Sequence, residues 1–253
     1  MYTITNLFSN ANIKTLEEQG AFMVVEYQED KSVQSGEAMN KYFMAKMDIR
    51  KRQVICDLSR AQGITTQAGA MQWTVGDVEA TTGVKGVGDL IGKAFRGKVT
   101  GESAIKPEYV GSGLLVLEPT YKHLLLIDLQ DWSGSIVVED GMFFACESTV
   151  KHKAVMRSNF SSAVLGNEGL FNLSLQGQGV VCLESFVPRS ELIEISLQND
   201  VIKIDGSMAV AWSAGLDFTV ERSGKTLIGS AVSGEGLVNV YRGTGKVLMA
   251  PVL

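Results

Sequence analysis

Apolar and polar residues alternate along much of this chain with a period of two. Leu216-Asp217-Phe218-Thr219-Val220-Glu221 alternates strictly, and Phe171, Leu173 and Leu175 alternate with Asn172 and Ser174. That period belongs to strands with one face in a core and the other in water. Short apolar runs bounded by Gly or Asp recur at 21–27, 54–58, 114–117, 124–127 and 142–146. Strands this short and this regularly spaced predict an all-β sandwich or barrel. One stretch breaks the pattern. Val84, Val87, Leu90, Ile91 and Phe95 fall at helical spacing among Gly83, Gly86, Gly88, Gly97 and Gly101. This predicts a short amphipathic helix over 87–96. A further helical turn is expected at 36–42.

The strand pattern repeats. Gly111-Ser112-Gly113-Leu114-Leu115-Val116-Leu117-Glu118 matches Gly177-Gln178-Gly179-Val180-Val181-Cys182-Leu183-Glu184, and Gly234-Glu235-Gly236-Leu237 is read as a third, weaker copy. Asp140-Gly141 and Asp205-Gly206 form a second repeated motif, with Gly69-Ala70-Met71 as its first copy. Glycine at such turns supplies positive φ or lets two backbones approach closely. Units of this size seldom bury a core alone, so successive copies are expected to pack together. The expected architecture is one all-β domain over 1–253, a pseudo-repeated β-sandwich or double-stranded β-helix. Its repeat motifs lie near 69–75, 111–145, 177–211 and 234–247.

Composition narrows the function classes. With 45% hydrophobic and 20% charged residues and only 4 Pro in 253, the chain can bury a sizeable core. The net charge of −5 repels a phosphate backbone, so bulk nucleic-acid binding is not expected. Cys56, Cys146 and Cys182 are odd in number, far apart and in apolar settings, which predicts free buried thiols in a reducing compartment. The N-terminus, Met1-Tyr2-Thr3-Ile4-Thr5-Asn6, has neither the basic nor the apolar region of a signal peptide, so a cytoplasmic location is expected.

Candidate chemistry is sparse. Gly92-Lys93-Ala94-Phe95-Arg96-Gly97-Lys98 has phosphate-loop spacing, but Val99 stands where Mg²⁺ ligation needs Ser or Thr. Gly86-Val87-Gly88 fails the dinucleotide fingerprint at Ile91. The two histidines, His123 and His152, are the sole pair for a two-His, one-carboxylate metal site, and chance placement on strands is preferred. No G-x-S-x-G elbow exists. Glu118 and Glu184 occupy equivalent repeat positions and are read as solvent-facing carboxylates rather than a catalytic pair. Lys85, Lys93, Arg96 and Lys98 flank the 84–95 stripe, which suits either weak peripheral contact with an anionic membrane or docking on the sheet. Trp73, Trp132 and Trp212 are read as core or interface anchors. No catalytic, cofactor-binding or metal residue is assigned, and no cofactor is expected.

Several motifs in order resemble a known family: Gly69-Ala70-Met71-Gln72-Trp73, Arg96-Gly97-Lys98-Val99-Thr100-Gly101-Glu102-Ser103, Gly111-Ser112-Gly113, Asp140-Gly141, Gly166-Asn167-Glu168-Gly169-Leu170-Phe171, Ser233-Gly234-Glu235-Gly236-Leu237-Val238 and Gly243-Thr244-Gly245-Lys246-Val247. Together they are similar to the altered-inheritance-of-mitochondria family, over roughly residue 21 to the C-terminus. The resemblance implies a fold like that of the tryptophan RNA-binding attenuation protein, and homo-oligomers. Mitochondrial members are linked to inner-membrane organisation. The absence of a transit-like N-terminus fits the bacterial members, which have no established activity. The family offers no catalytic motif. The expected function is therefore a non-enzymatic, oligomeric binding or assembly scaffold. The alternatives are a small-molecule-binding barrel or enzyme, and an RNA-binding oligomer.

Overall fold

The computed structural model describes residues 2–81, 106–156, 171–222 and 237–251. The helix expected at 87–96, the phosphate-loop-like run at 92–98 and the glycines at 234–236 lie outside the described residues. Among the described residues the chain runs through β1 (Ile13–Gln19), β2 (Phe22–Tyr27), α1 (Ala38–Lys46), β3 (Arg52–Asp57), β4 (Ile64–Thr66), β5 (Met71–Thr81), β6 (Glu108–Leu117), β7 (His123–Asp128), β8 (Ser135–Val138) and β9 (Phe143–Glu147). It continues through β10 (Lys151–Met156), β11 (Phe171–Gln176), β12 (Val180–Ser185), β13 (Ile193–Asp205), β14 (Ala209–Ser213), β15 (Asp217–Arg222) and β16 (Leu237–Met249). The fold is all-β, as its alternation predicts. A 3-10 turn at Ser35–Glu37 and α1 together cover the turn expected at 36–42.

All described strand pairs are antiparallel, in two sheets. The first has the order β1-β2-β3-β6-β4-β9-β12-β7, with β5 added on β6. The second has the order β10-β11-β8-β14-β16-β13, with β15 added on β16. The first sheet curls into a nearly closed barrel around a core of its own. Phe22, Val24, Val54, Cys56, Leu115, Leu117, Leu126 and Cys182 all meet inside it. Backbone bonds in both directions between Arg52 and Thr120, 2.7 and 2.8 Å, draw the start of β3 toward the entry to β7.

The continuous apolar runs of the sequence follow from burial on both faces. Along β7, Leu124 and Leu126 point into the barrel, whereas Leu125 and Ile127 point into a second core between the sheets. Along β12, Val180 and Cys182 divide from Val181 and Leu183 in the same way. The second sheet supplies Ile136, Val138, Leu173 and Leu175 to that shared core. Its far face gathers Val137, Leu197, Trp212, Tyr241 and Val247 into a third. A strand buried on both faces has no polar face to show, so its sequence reads as a solid apolar run.

Three glycine-x-glycine tripeptides mark bends. Gly111 and Gly113 lie within β6, which pairs β5 along one side and, on the other, β3 beyond the bend and β4 before it. A Cβ on Gly111 or Gly113 would stand 2.1 Å from the carbonyl oxygen of Asp77 or 2.0 Å from that of Val75, at φ +120° and +152°. No side chain fits there. Gly177 and Gly179 stand where the chain leaves β11 in the second sheet and enters β12 in the first. Gly243 and Gly245 lie within β16, which pairs β13 along one side and β14 and β15 on the other. Gly243 and Gly245 thus stand at the bend that follows those at 111–113 and 177–179, and the weaker copy read at 234–236 lies outside the described residues. Gly113, Gly179 and Gly245 are evenly spaced by 66 residues (179 − 113 and 245 − 179). Gly69, Gly141 and Gly206, all at positive φ, stand at the reversals β4 to β5, β8 to β9 and β13 to β14.

Candidate functional site, a charged groove beside the barrel seam

The alternation of β2 and β3 places Glu26 and Arg52 opposite one another. The groove is built around them, between β1 and β7. It has a volume of about 490 Å³ and takes Lys14 and Glu17 from β1, His123 from β7 and Arg189 from the segment after β12. Asp48 and Arg50 come from the loop between α1 and β3.

Its charges are matched locally. The Glu26 carboxylate lies 2.7 Å from Nη2 of Arg52 and 3.9 Å from Nε of Arg50, and accepts a hydrogen bond from Nε2 of Gln28. Both Glu26 and Arg52 are buried. Arg52 also donates to the carbonyl oxygens of Asp48 and Tyr121. Its Nε is buried and finds no acceptor among the described residues. Arg50 pairs with Asp48 at 3.0 Å and donates to the carbonyl of Gln28. Arg189 donates to the carbonyl of Leu126 and stands 3.7 Å from Glu17, tying β7 to β1 across the seam. Burial, and then the neighbouring Arg52 charge, pushes the His123 imidazole below the usual histidine range. It is neutral at pH 7 and can exchange hydrogen bonds there without carrying charge.

A smaller cleft of about 230 Å³ shares Gln28 and Arg50 with the groove and runs beneath α1. There Lys41 donates to Tyr121 Oη at 2.6 Å, and Lys51 pairs with Asp30 at 2.9 Å. The Lys51 bond holds the Asp30 carboxyl below its usual range, and the Tyr121 bond raises the Lys41 ammonium.

The two histidines are not brought together. His123 lies on β7 in the barrel and His152 on β10 in the second sheet. Among the described residues no group of three His, Cys, Asp or Glu is placed to hold a metal ion. Glu184 is ion-paired to Lys122 at 2.9 Å, whereas Glu118 is exposed. The symmetric solvent-facing arrangement expected for these two is thus not what the structure shows. Trp132 and Trp212 are core residues, and Trp73 is half-buried. All three cysteines are free and buried. The groove itself is not visible in the sequence, because it gathers residues from 14 to 189 with no local motif.

The profile of the mitochondrial biogenesis AIM24 family matches residues 46–252. The chain belongs to this family. An uncharacterised protein of Streptococcus pyogenes serotype M6 is 29% identical over 199 residues, covering 76% of this chain and 77% of the relative. A Streptococcus pyogenes protein of known crystal structure is 26% identical, with a TM-score of 0.59, covering 81% of this chain and 89% of that one. The AIM24 match includes Asp48, Arg50, Arg52, His123 and Arg189 of the groove. Glu26 and almost all of α1 precede it. No described helix is long and apolar enough to cross a membrane.

Proposed function

We propose that the chain is a non-enzymatic β-scaffold that works by assembling with copies of itself, in the cytoplasm, and by presenting a surface to a partner. The observation that carries this reading is β13. It runs 13 residues and, among the described residues, pairs β16 alone. It is largely exposed and leaves Ile193 and Val201 open to water. β5 repeats the situation over 11 residues on the barrel. Long one-sided strands invite pairing with another chain, and subunit contact is a common way to cover them. The three bends, the three turns and the matching strand neighbours support a scaffold of three related β-units. The compensated ion pairs of the groove suit positioning and recognition better than turnover.

Native mass by light scattering on a sizing column tests the reading. A stable multiple of 27.3 kDa is expected. A monomer at every concentration would remove it.

A second reading rests on Arg52. A buried guanidinium Nε without an acceptor costs free energy until something accepts from it. A small carboxylate or phosphate entering the groove would supply that acceptor. A melting-temperature rise with such anions, lost in His123→Ala and Lys14→Ala, is the expected result.

A further inference from the structure

Strand β7 ends the first sheet and, among the described residues, pairs β12 alone. Opposite residues of an antiparallel pair alternate between exchanging backbone hydrogen bonds and making none. Leu129, one residue past β7, donates to the carbonyl of Gly179 at 3.1 Å. The register carries that bonding on to Ile127 with Val181 and to Leu125 with Leu183. Leu124 and Leu126 therefore turn their N–H and C=O groups away from β12, toward the seam. The carbonyl of Leu126 accepts from the Arg189 guanidinium there, in agreement with that direction. The Leu124 N–H and C=O and the Leu126 N–H find no partner among the described residues. Both residues are buried, at 6% and 2% exposure, and Leu124 lines the groove. Buried backbone donors and acceptors cost free energy until something bonds them.

We infer that the groove takes an extended peptide with an acidic side chain, which adds as a strand on the open edge of β7. The inference rests on the partner-presenting half of the proposal above and gives that partner its chemistry. Two observations choose this occupant. The first is the row of backbone groups. Donor, acceptor and donor in sequence along one edge are matched by the main chain of another strand, which supplies both kinds at the same spacing. A carboxylate alone only accepts and leaves the Leu124 carbonyl unmet. Arg189 already stands in for such a strand at the Leu126 carbonyl, and its side chain is 50% exposed, free to swing out. The second is charge. The groove gathers Lys14, Arg50, Arg52 and Arg189 against Glu17, Glu26 and Asp48. Lys14 is exposed and has no ion-pair partner among the described residues. One cation is therefore left for an incoming carboxylate, in a chain whose net charge is −5. The groove volume of about 490 Å³ lies within the roughly 300–1,000 Å³ of ligand pockets, room for a short segment rather than a folded domain.

The probe is the fluorescein-labelled peptide Gly-Thr-Val-Glu-Val-Thr-Gly, titrated with the full chain and read by anisotropy. Against it stand the same peptide N-methylated on one or the other alternate set of residues, the peptide with Gln for Glu, and the protein variant Lys14→Glu. Lys14 is exposed, so an unchanged melting temperature serves as the folding control. Binding is expected to fall about tenfold or more for the N-methyl set that faces β7 and not for the other, and about tenfold for each charge change. Amide exchange at Leu124 and Leu126 should slow in the saturated complex. No binding at millimolar peptide, or binding indifferent to both N-methyl sets, overturns the strand addition. Displacement of the peptide by an equal concentration of free glutamate also overturns it and gives the groove to small anions. Peptide binding by a monomeric chain removes self-assembly and keeps this inference, whereas an oligomer that binds no peptide does the reverse.

Discussion

Glu26 and Arg52 are direct cross-strand partners on β2 and β3, with carboxylate and guanidinium 2.7 Å apart and both side chains withdrawn from water. A buried pair contributes little net stability compared with an apolar pair, but breaking it leaves one charge without its partner. Arg52→Ala and Glu26→Ala should each destabilise by about 3–5 kcal/mol. The double variant Glu26→Leu/Arg52→Met should recover most of that loss. Chemical denaturation of the four proteins checks it, with the double variant unfolding close to the parent and each single variant well below it.

The His123 imidazole titrates below its unfolded value because it is half-buried beside Arg52. The unfolded chain therefore binds the proton first as pH falls. The stabilisation is fully present above pH 6.5, the unfolded value, and is lost progressively below it, toward the lower folded pKa. His152 shifts in the same direction through burial. Melting temperature is expected to drop between neutral pH and the onset of carboxylate titration. His123→Gln should flatten part of that slope, and an unchanged slope would show that His123 carries none of it.

Glu147 sits at the other side of the barrel. Its two carboxylate oxygens accept from the backbone N–H of Ala21, 3.0 Å, and of Val180, 3.1 Å, joining the β1–β2 turn to β12. Glu147→Ala leaves two part-buried donors without an acceptor, at about 1–3 kcal/mol each. Faster amide exchange at Ala21 and Val180 in the variant is the signature to look for.

Gly111→Ala and Gly113→Ala should each cost about 3 kcal/mol or more, because both a left-handed backbone and a carbonyl about one bond-length too close must be accommodated. Gly141→Ala, where nothing lies within 4 Å of the added carbon, carries the backbone term alone and should cost about 1–2 kcal/mol. Thermal melts of the three variants give the ranking.

The thiols should be inert in the folded chain. Burial raises all three, and pushes Cys146 to about 12. A thiolate is the reactive form, so an aromatic disulfide reagent at pH 8 should label none of them until denaturant is added. Labelling of native protein at a rate independent of unfolding would contradict the packing.

By itself the sequence determined that this is a β-protein, because a period of two in Leu216 to Val220 has no other use than a half-buried strand. It also marked the bends, since Gly111, Gly113, Gly177 and Gly179 occupy places where a Cβ meets backbone or a charged side chain. Local chemistry is enough for both. It left α1 half-seen, because a helix with apolar residues on both sides has no amphipathic period to read. Only the tertiary structure decided that Leu124 to Ile127 divide between two cores, since a run of apolar residues does not say how many sheets will cover it. The structure alone assembled the groove as well. Arg52 meets Glu26 across adjacent strands and Asp48 in the loop before β3, but Tyr121, His123 and Arg189 join them because the first sheet curls back on itself, and that closure is a long-range event with no trace in the spacing of any one segment.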